Sequence, residues 1–271
     1  MQDIISQQAR EEITRRLRAA EQEHDVRILL AVESGSRAWG FASPDSDYDA
    51  RFIYVHRPEW YLSVGLEEKR DVIEYPIVDE MDINGWDIRK ALRLFWKSNP
   101  AFVEWMLSPV QYEKSGCFHQ EALNLMPTVY SVENGMYHYR SSAKTNFRTE
   151  LQTELVRYKK YFYVLRPLLA TRWLERYQTP APIEFDKLMT LISDQPELTS
   201  AIADLLEKKK RANESELGPQ VPVIHQFIAE ELARLDAIVP PRFTRTPVEP
   251  QLSALFRKVL QQTWGERDIN N

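Results

Sequence analysis

The stretch Leu29–Tyr54, LLAVESGSRAWGFASPDSDYDARFIY, decides how the first half of this chain folds. Its apolar start continues a Val, Ile and Leu run that begins at Val26, and this composition predicts a buried strand. A Gly-Ser pair at Gly35 predicts a turn, and the Pro-Asp-Ser loop that follows leads into DYDARFIYV, which predicts a second strand. The stretch therefore predicts two strands of one sheet, joined through a turn and a short loop.

Helices and one more strand surround this pair in the front half. The first segment has apolar residues on one face and predicts an amphipathic helix. A third strand is expected within Asp71–Ile83, with an interruption at Pro76. Asn84, with Asp87 as its capping-box partner, predicts the start of a helix, and Asn99–Pro100 predicts the start of the next one.

Strand patterns fade after about residue 115, and helical periodicity dominates the remainder. A long helical segment contains Pro167, which we expect to kink or split it near its end. The fold class is therefore α+β, with a sheet-containing domain over residues 1–112 and an all-helical domain over residues 113–271.

Composition narrows the classes of function. The chain has 271 residues, of which 43% are hydrophobic, and no apolar run approaches the roughly 20 residues that cross a bilayer. Cys117 is the only cysteine, so the sequence has no disulfide framework and no cysteine zinc site. We expect a cytoplasmic protein with no membrane partner. The net charge of −5 argues against a globally basic nucleic-acid binder, but it leaves room for a local basic groove.

Two acids at the start of the second strand carry the main functional prediction. Asp47 and Asp49 are one residue apart, so on a strand they point to the same face. With Asp45 they match the start of a calcium-binding loop, but Ala50 stands where that loop needs glycine and His56 where it needs glutamate. The calcium loop is rejected, and a Mg²⁺ site shared with substrate phosphates remains.

A magnesium site for phosphoryl or nucleotidyl transfer needs a further carboxylate and a place for phosphate. Asp82 is our choice for the third acid, Glu80 is its main rival, and Asp87 is explained as a helix cap partner. Gly35 and Ser36 suit phosphate, because glycine lets backbone N–H groups approach closely and a helix N-terminus favours anions. The pair is not a P-loop, since no Gly-Lys-Ser/Thr follows, and it lacks the nucleophile elbow of a serine hydrolase.

GSRAWG, a short loop and SDYDARF together resemble the signature of the DNA polymerase β-like nucleotidyltransferase superfamily, a Gly-Ser turn followed by Asp-x-Asp. The likeness is closer to a bacterial and phage subgroup of predicted nucleotidyltransferases associated with RNA repair and RNA ligases. Two later phrases support it, DINGWDIRKALRLFWKSNPAFVEWMLSPVQY and KKYFYVLRPLLATRW. The resemblance covers roughly residues 30–175. It implies a nucleotidyltransferase core with a small mixed or antiparallel sheet and flanking helices, followed by the helical domain.

The resemblance also implies roles for five residues. Gly35 and Ser36 would hold the triphosphate of an NTP. Asp47 and Asp49 would bind two catalytic Mg²⁺ ions, with Mn²⁺ as a substitute. Asp82 would be the third metal-binding acid and would help to activate the attacking hydroxyl.

Basic and aromatic residues of the helical half form a second candidate region. Arg140, Lys144 and Arg148 are spaced four apart and share one helix face. For any single residue, a solvated face beside an aromatic core stripe is the simpler interpretation. The resemblance favours Lys144, Lys159, Tyr163 and Arg166 as a nucleotide-binding group. By contrast, Lys208–Arg211 is interpreted as an exposed helix end.

The leading hypothesis is a Mg²⁺-dependent nucleotidyltransferase, whose acceptor is a hydroxyl on an RNA end, a protein or a small molecule. Two alternatives stay open. The first is a nucleotide- or RNA-binding regulatory module without turnover, which the basic, aromatic-rich helical half motivates. The second is an antitoxin-like nucleotidyltransferase that modifies another protein.

Overall fold

A computed structural model describes residues 5–211, 217–238, 240 and 247–265. The front half is built on a mixed five-stranded sheet. Its strands are β1 (Val26–Glu33), β2 (Tyr48–His56), β3 (Val72–Glu74), β4 (Met81–Asp87) and β5 (Gln111–Lys114). They lie in the order β3-β4-β2-β1-β5, and only β2 and β4 run parallel among the neighbouring pairs of this sheet.

Helices of the front half flank this sheet. They are α1 (Gln7–His24), α2 (Gly35–Trp39), α3 (Pro58–Tyr61), a 3₁₀ turn at Leu66–Glu68, α4 (Ile88–Trp96) and α5 (Pro100–Leu107). Asn99 caps α5, since its Oδ1 accepts hydrogen bonds from the backbone N–H groups of Ala101 and Phe102, which confirms that predicted helix start.

The back half is mainly helical. It contains α6 (Phe118–Val129), α7 (Val132–Glu150), α8 (Tyr158–Tyr177), α9 (Phe185–Met189), a 3₁₀ turn at Thr190–Ile192, α10 (Pro196–Arg211), α11 (Pro222–Asp236) and α12 (Glu249–Trp264). Two short strands, β6 (Leu155–Arg157) and β7 (Leu217–Pro219), form a small antiparallel pair that the sequence did not predict. The α+β class is confirmed.

Each face of the sheet packs on a different core. Alternate residues of β2 divide between them: Phe52 and Tyr54 pack with α1, whereas Ile53 and Val55 belong to a core that continues into α7, α8 and α11. This continuous core joins the sheet to the helical half. The predicted domain boundary after residue 112 falls within β5 and stays a prediction.

The predicted helix start at Asn84 is wrong. Asn84 lies inside β4, because β3 and β4 pair as a hairpin around Pro76 and the strand runs on to Asp87. Asp87 itself caps α4, and its Oδ1 accepts from Arg89 N at 2.8 Å. Pro167 does not split α8; the long segment is divided earlier, between α7 and α8. No helix among the described residues is long and apolar enough to cross a membrane.

Candidate active site

The parallel pairing of β2 and β4 brings two of the predicted acids together. Their register sets Asp49 beside Asp82 on the neighbouring strand. Asp49 shares its face of β2 with Ile53, whereas Asp47 stands directly before the strand. Glu80, the rival third acid, lies outside β4, is exposed and has a positive φ of 60°. The acids therefore face the side of the sheet on which the helical half packs.

Arg51 lies between these acids on the same face of β2. Its Nη2 donates to Asp49 Oδ1 at 2.8 Å and to Asp82 Oδ2 at 2.6 Å, and its Nη1 donates to the backbone oxygen of Asp82 at 2.7 Å. Asn84 Nδ2 donates to the other carboxylate oxygen of Asp82. One guanidinium thus compensates both carboxylates. The sequence reasoning missed it, although its period-2 spacing after Asp49 could have revealed it.

The donor set suits a hard cation, because Mg²⁺ takes carboxylate oxygens and usually shares them with phosphates. Within the described part of the chain, no three His, Cys, Asp or Glu side chains form a ready-made metal cluster. Asp49 and Asp82 come together as a pair rather than as a group of three, and both contact Arg51. The chemistry of the acids therefore fits a metal, provided that Arg51 gives up its contacts.

The Gly-Ser turn packs directly on Asp49. Gly35 opens α2 with a φ of +58°, and a Cβ added there would lie 1.9 Å from Asp49 Oδ2. Ser34 N donates to the backbone oxygen of Asp49 at 2.9 Å, and Ser36 is buried. From the middle of α2, Arg37 Nη2 donates to the backbone oxygen of Ser46 at 2.6 Å. Hydrogen bonds therefore fix the Gly-Ser turn against the residues that lead into β2.

A buried acid that the sequence reasoning missed supports Asp49 from behind. Glu33 is the last residue of β1; its Oε1 accepts from Asp49 N at 3.0 Å, and Oε2 accepts from the Tyr112 hydroxyl. Burial raises the pKa of Glu33 to about 7. The sequence feature that could have identified Glu33 is its position, a charged residue at the end of an apolar strand and just before the Gly-Ser turn.

A cavity of about 330 Å³ opens at the C-terminal end of α2, between α5, α7 and α8. That volume is within the range of small-molecule sites. Trp39 forms part of its wall, and it follows Gly35 by four residues, or about 6 Å of helix rise. The other lining residues are Asn99, Pro100, Ala101, Glu104, His138, Tyr139, Ser142, Asn146, Phe162, Tyr163, Arg166 and Pro167. The cavity is thus adjacent to the acid site.

A buried ion pair forms one side of this cavity. Arg166 Nη1 donates to Glu104 Oε1 at 2.8 Å, and Trp39 Nε1 donates to Glu104 Oε2 at 3.1 Å. The Arg166 guanidinium also stacks on the Trp39 ring, 4.5 Å from its centroid. The positive charge of Arg166 and the negative charge of Glu104 therefore compensate each other inside the protein. Glu104 was not identified from the sequence, because an acid inside an apolar helix gives no sign of its partner.

The structure separates the four residues of the predicted nucleotide-binding group. Tyr163 and Arg166 line the cavity, and Lys159 lies one turn before Tyr163 on the same face of α8 without lining it. Lys144 is elsewhere: its Nζ binds Asp236 at 2.7 Å, on a face of α7 about 200° around the helix from the lining residue Ser142.

Lys209 contradicts the prediction that Lys208–Arg211 is simply an exposed helix end. It is 4% exposed, and its Nζ donates to the backbone oxygen of Phe41 at 2.7 Å. Leu205, four residues earlier, shares its buried face of α10. A cation of the helical half therefore holds the loop that leads from α2 to Asp47.

Comparison with known proteins assigns the family. Residues 9–258 match the model of RlaP, the RNA repair pathway DNA polymerase beta family. The chain belongs to this family. The resemblance that the sequence carries is confirmed, and every candidate site residue lies inside the matched range. Membership makes a general nucleotidyltransferase role the family-level assignment.

One relative and one solved structure were also found to be similar to this chain. The chain is 43% identical over 251 residues to uncharacterized protein YcgL of Bacillus subtilis (strain 168), which covers 92% of this chain and 96% of that protein. A nucleotidyltransferase-like protein from Exiguobacterium sibiricum 255-15 is similar over 94% of this chain and 81% of its own, at 13% identity and a TM-score of 0.32.

Proposed function

We propose that this protein is a Mg²⁺-dependent nucleotidyltransferase that moves a nucleoside monophosphate from an NTP to a hydroxyl acceptor. The observation that carries the proposal is the Asp49–Asp82 pair on adjacent strands, with Gly35 packed against Asp49. Family membership supports it. We place the reaction in the cytoplasm, with the hydroxyl end of an RNA as the acceptor.

In this reaction an acceptor oxygen attacks the α-phosphorus, the bond to the β-phosphate breaks and pyrophosphate leaves. Asp47, Asp49 and Asp82 would hold two Mg²⁺ ions, or Mn²⁺ in their place. Bound metal would stabilise the charge on the attacking and leaving oxygens. Asp82 would also help to remove the proton of the attacking hydroxyl.

The remaining residues would position the NTP. Gly35 and Ser36 would hold the triphosphate through backbone N–H groups at the turn. The cavity beyond Trp39 would take the nucleoside, with Tyr163 and Arg166 in its walls. This arrangement is supported by distance, because α2 spans the gap between the phosphate turn and the cavity.

The test is transfer of label from each α-labelled NTP to RNA oligonucleotides with free 5′ or 3′ hydroxyls, in Mg²⁺. Asp49→Asn and Asp47→Asn should each abolish transfer. Glu80→Gln is the matched control, since it removes an exposed acid that lies two residues before Asp82 but outside β4. Equal behaviour of the wild type and the Asp49 variant in every assay would refute the catalytic role.

One observation favours the second candidate, a nucleotide- or RNA-binding module without turnover. Arg51 already compensates Asp49 and Asp82, as in a purely structural ion pair. This alternative expects NTP or RNA affinity that survives Asp49→Asn, with no release of pyrophosphate. Label transferred to a protein in a lysate, rather than to RNA, would instead identify the protein-modifying variant of the first proposal.

A further inference from the structure

We propose that Arg51 is a displaceable counter-cation of the acid pair, which makes metal binding at Asp49 and Asp82 depend on bound triphosphate. The inference rests on the function proposed above. It assigns Arg51 two successive partners, the carboxylates before the nucleotide binds and the phosphates afterwards.

The geometry of Arg51 is that of a cation between two carboxylates. A single nitrogen, Nη2, is 2.8 Å from Asp49 Oδ1 and 2.6 Å from Asp82 Oδ2. Such charge-assisted contacts are among the stronger hydrogen bonds in proteins. A divalent ion on the same oxygens would lie close to the guanidinium, and the two positive charges would repel each other.

The contact can also open. The side chain of Arg51 is 17% exposed, and those of Asp49 and Asp82 are 26% and 21% exposed, so solvent and ions reach all three. This differs from the Glu104–Arg166 pair, whose side chains are 10% and 5% exposed. The acid site thus holds the more accessible of these two pairs, as an exchange of partners requires.

Triphosphate supplies a competing anion for Arg51. A guanidinium matches phosphate as well as carboxylate in shape and charge. Gly35 packs on Asp49, the residue that Arg51 binds, so phosphate held at the turn would lie near this guanidinium. Arg51 would then pass to phosphate oxygens, and the metal would take the carboxylate oxygens that it releases. No covalent bond changes in this exchange.

The test measures two affinities of the full chain in separate titrations. Binding of Mn²⁺ alone is followed by electron paramagnetic resonance, and binding of inorganic tripolyphosphate without metal is followed by calorimetry. Arg51→Gln should bind Mn²⁺ about tenfold more tightly than the wild type and tripolyphosphate about tenfold more weakly, within the usual range of coupling between two ligands. Arg89→Gln, which removes an exposed ion pair with Glu67, should change neither.

A gain in Mn²⁺ affinity together with a loss of tripolyphosphate affinity separates this role from a structural one, because a damaged site would lose both affinities. Adding Asp49→Asn to Arg51→Gln should remove the gain in Mn²⁺ affinity, and persistence of the gain overturns the proposal. If Arg51→Gln does not fold, Arg51→Lys serves instead: its ammonium keeps the charge without the forked geometry, and the same opposite changes should appear in smaller size.

Failure of this inference is distinct from failure of the proposed function, since neither titration involves turnover. Unchanged or weaker Mn²⁺ binding by Arg51→Gln, in a protein whose wild type transfers nucleotide, overturns the role of Arg51 alone. Both expected changes, in a protein that transfers nucleotide to no acceptor, support the role of Arg51 and refute the transferase.

Discussion

Replacing Gly35 by alanine should displace Asp49 and reduce nucleotidyl transfer by at least about 100-fold, because a misplacement of about 1 Å at a reacting centre can cost that much. The added Cβ would lie 1.9 Å from Asp49 Oδ2 and 2.8 Å from its Cγ. Ordinary contact begins at about 3.4 Å, so the carboxylate must move by about 1.5 Å. That shift also breaks the geometry of its contact with Arg51.

Gly40→Ala is a matched control at the other end of α2. Gly35 and Gly40 both have a positive φ, +58° and +88°, and an L-residue in this region costs about 1–2 kcal/mol. No atom lies within 4 Å of a Cβ built at Gly40. Both variants should therefore lose about 1–2 kcal/mol of unfolding free energy through the backbone. Gly35→Ala should lose more, because it also displaces Asp49 from Arg51, and only this variant should lose its function.

Urea denaturation measures the shared backbone cost, while label transfer and Mn²⁺ affinity measure the state of Asp49. Gly35→Ala should transfer less label and bind Mn²⁺ differently from Gly40→Ala, and its loss of unfolding free energy should be at least as large as that of Gly40→Ala. Undiminished transfer by both variants would show that Asp49 does not act where it contacts Gly35. Equal loss of transfer in both would assign the effect to α2 as a whole.

Further predictions concern buried charges. The pKa of Glu33 rises from 4.5 to about 7, so the folded chain retains a proton that the unfolded chain releases, and stability falls as pH rises from about 5 to about 7. Glu33→Gln should remove this fall and be about 3 kcal/mol more stable than the wild type at pH 8 in urea titrations. Lys209→Met should speed amide hydrogen exchange in residues 41–47, whereas Lys210→Met should not. Glu104→Gln should lower the free energy of unfolding by about 3 kcal/mol, since buried Arg166 loses its anion, and Arg166→Met should restore part of that loss in a double variant.

Local patterns predicted the part of the site that lies along the strands. Alternation in a strand predicts Asp47 and Asp49 on one face; Asp49 lies on β2, Asp47 precedes it, and the same rule applied to Arg51 places it beside Asp49. Asp82 is chosen from the sequence because it lies at the end of the predicted third strand, but its position beside Asp49 comes only from the parallel pairing of β2 and β4.

Contacts between distant segments account for what the sequence did not reveal. Lys209 and Phe41 are 168 residues apart, and Glu33 and Tyr112 are 79 apart. A charged residue in a periodic pattern is assigned to the surface unless its partner is known, because an unpaired buried charge is costly. Each partner here is on an element whose position depends on the complete fold. Lys144 is the opposite case, because the sequence places it in a nucleotide-binding group and the structure pairs it with Asp236 instead.

The link between β1 and β2 explains why the helical half matters to an acid site on the sheet. This link begins at the Gly-Ser turn and ends at Asp47, and two groups of the helical half hold it. Arg166 stacks on Trp39 at the end of α2, and Lys209 binds the oxygen of Phe41 just after it. Neither group touches Asp47 or Asp49 through these contacts. Since Gly35 packs on Asp49, a shift of α2 would be transmitted to the carboxylate. The geometry of the acids is therefore a property of both halves together, and the helical half contributes to it by fixing α2.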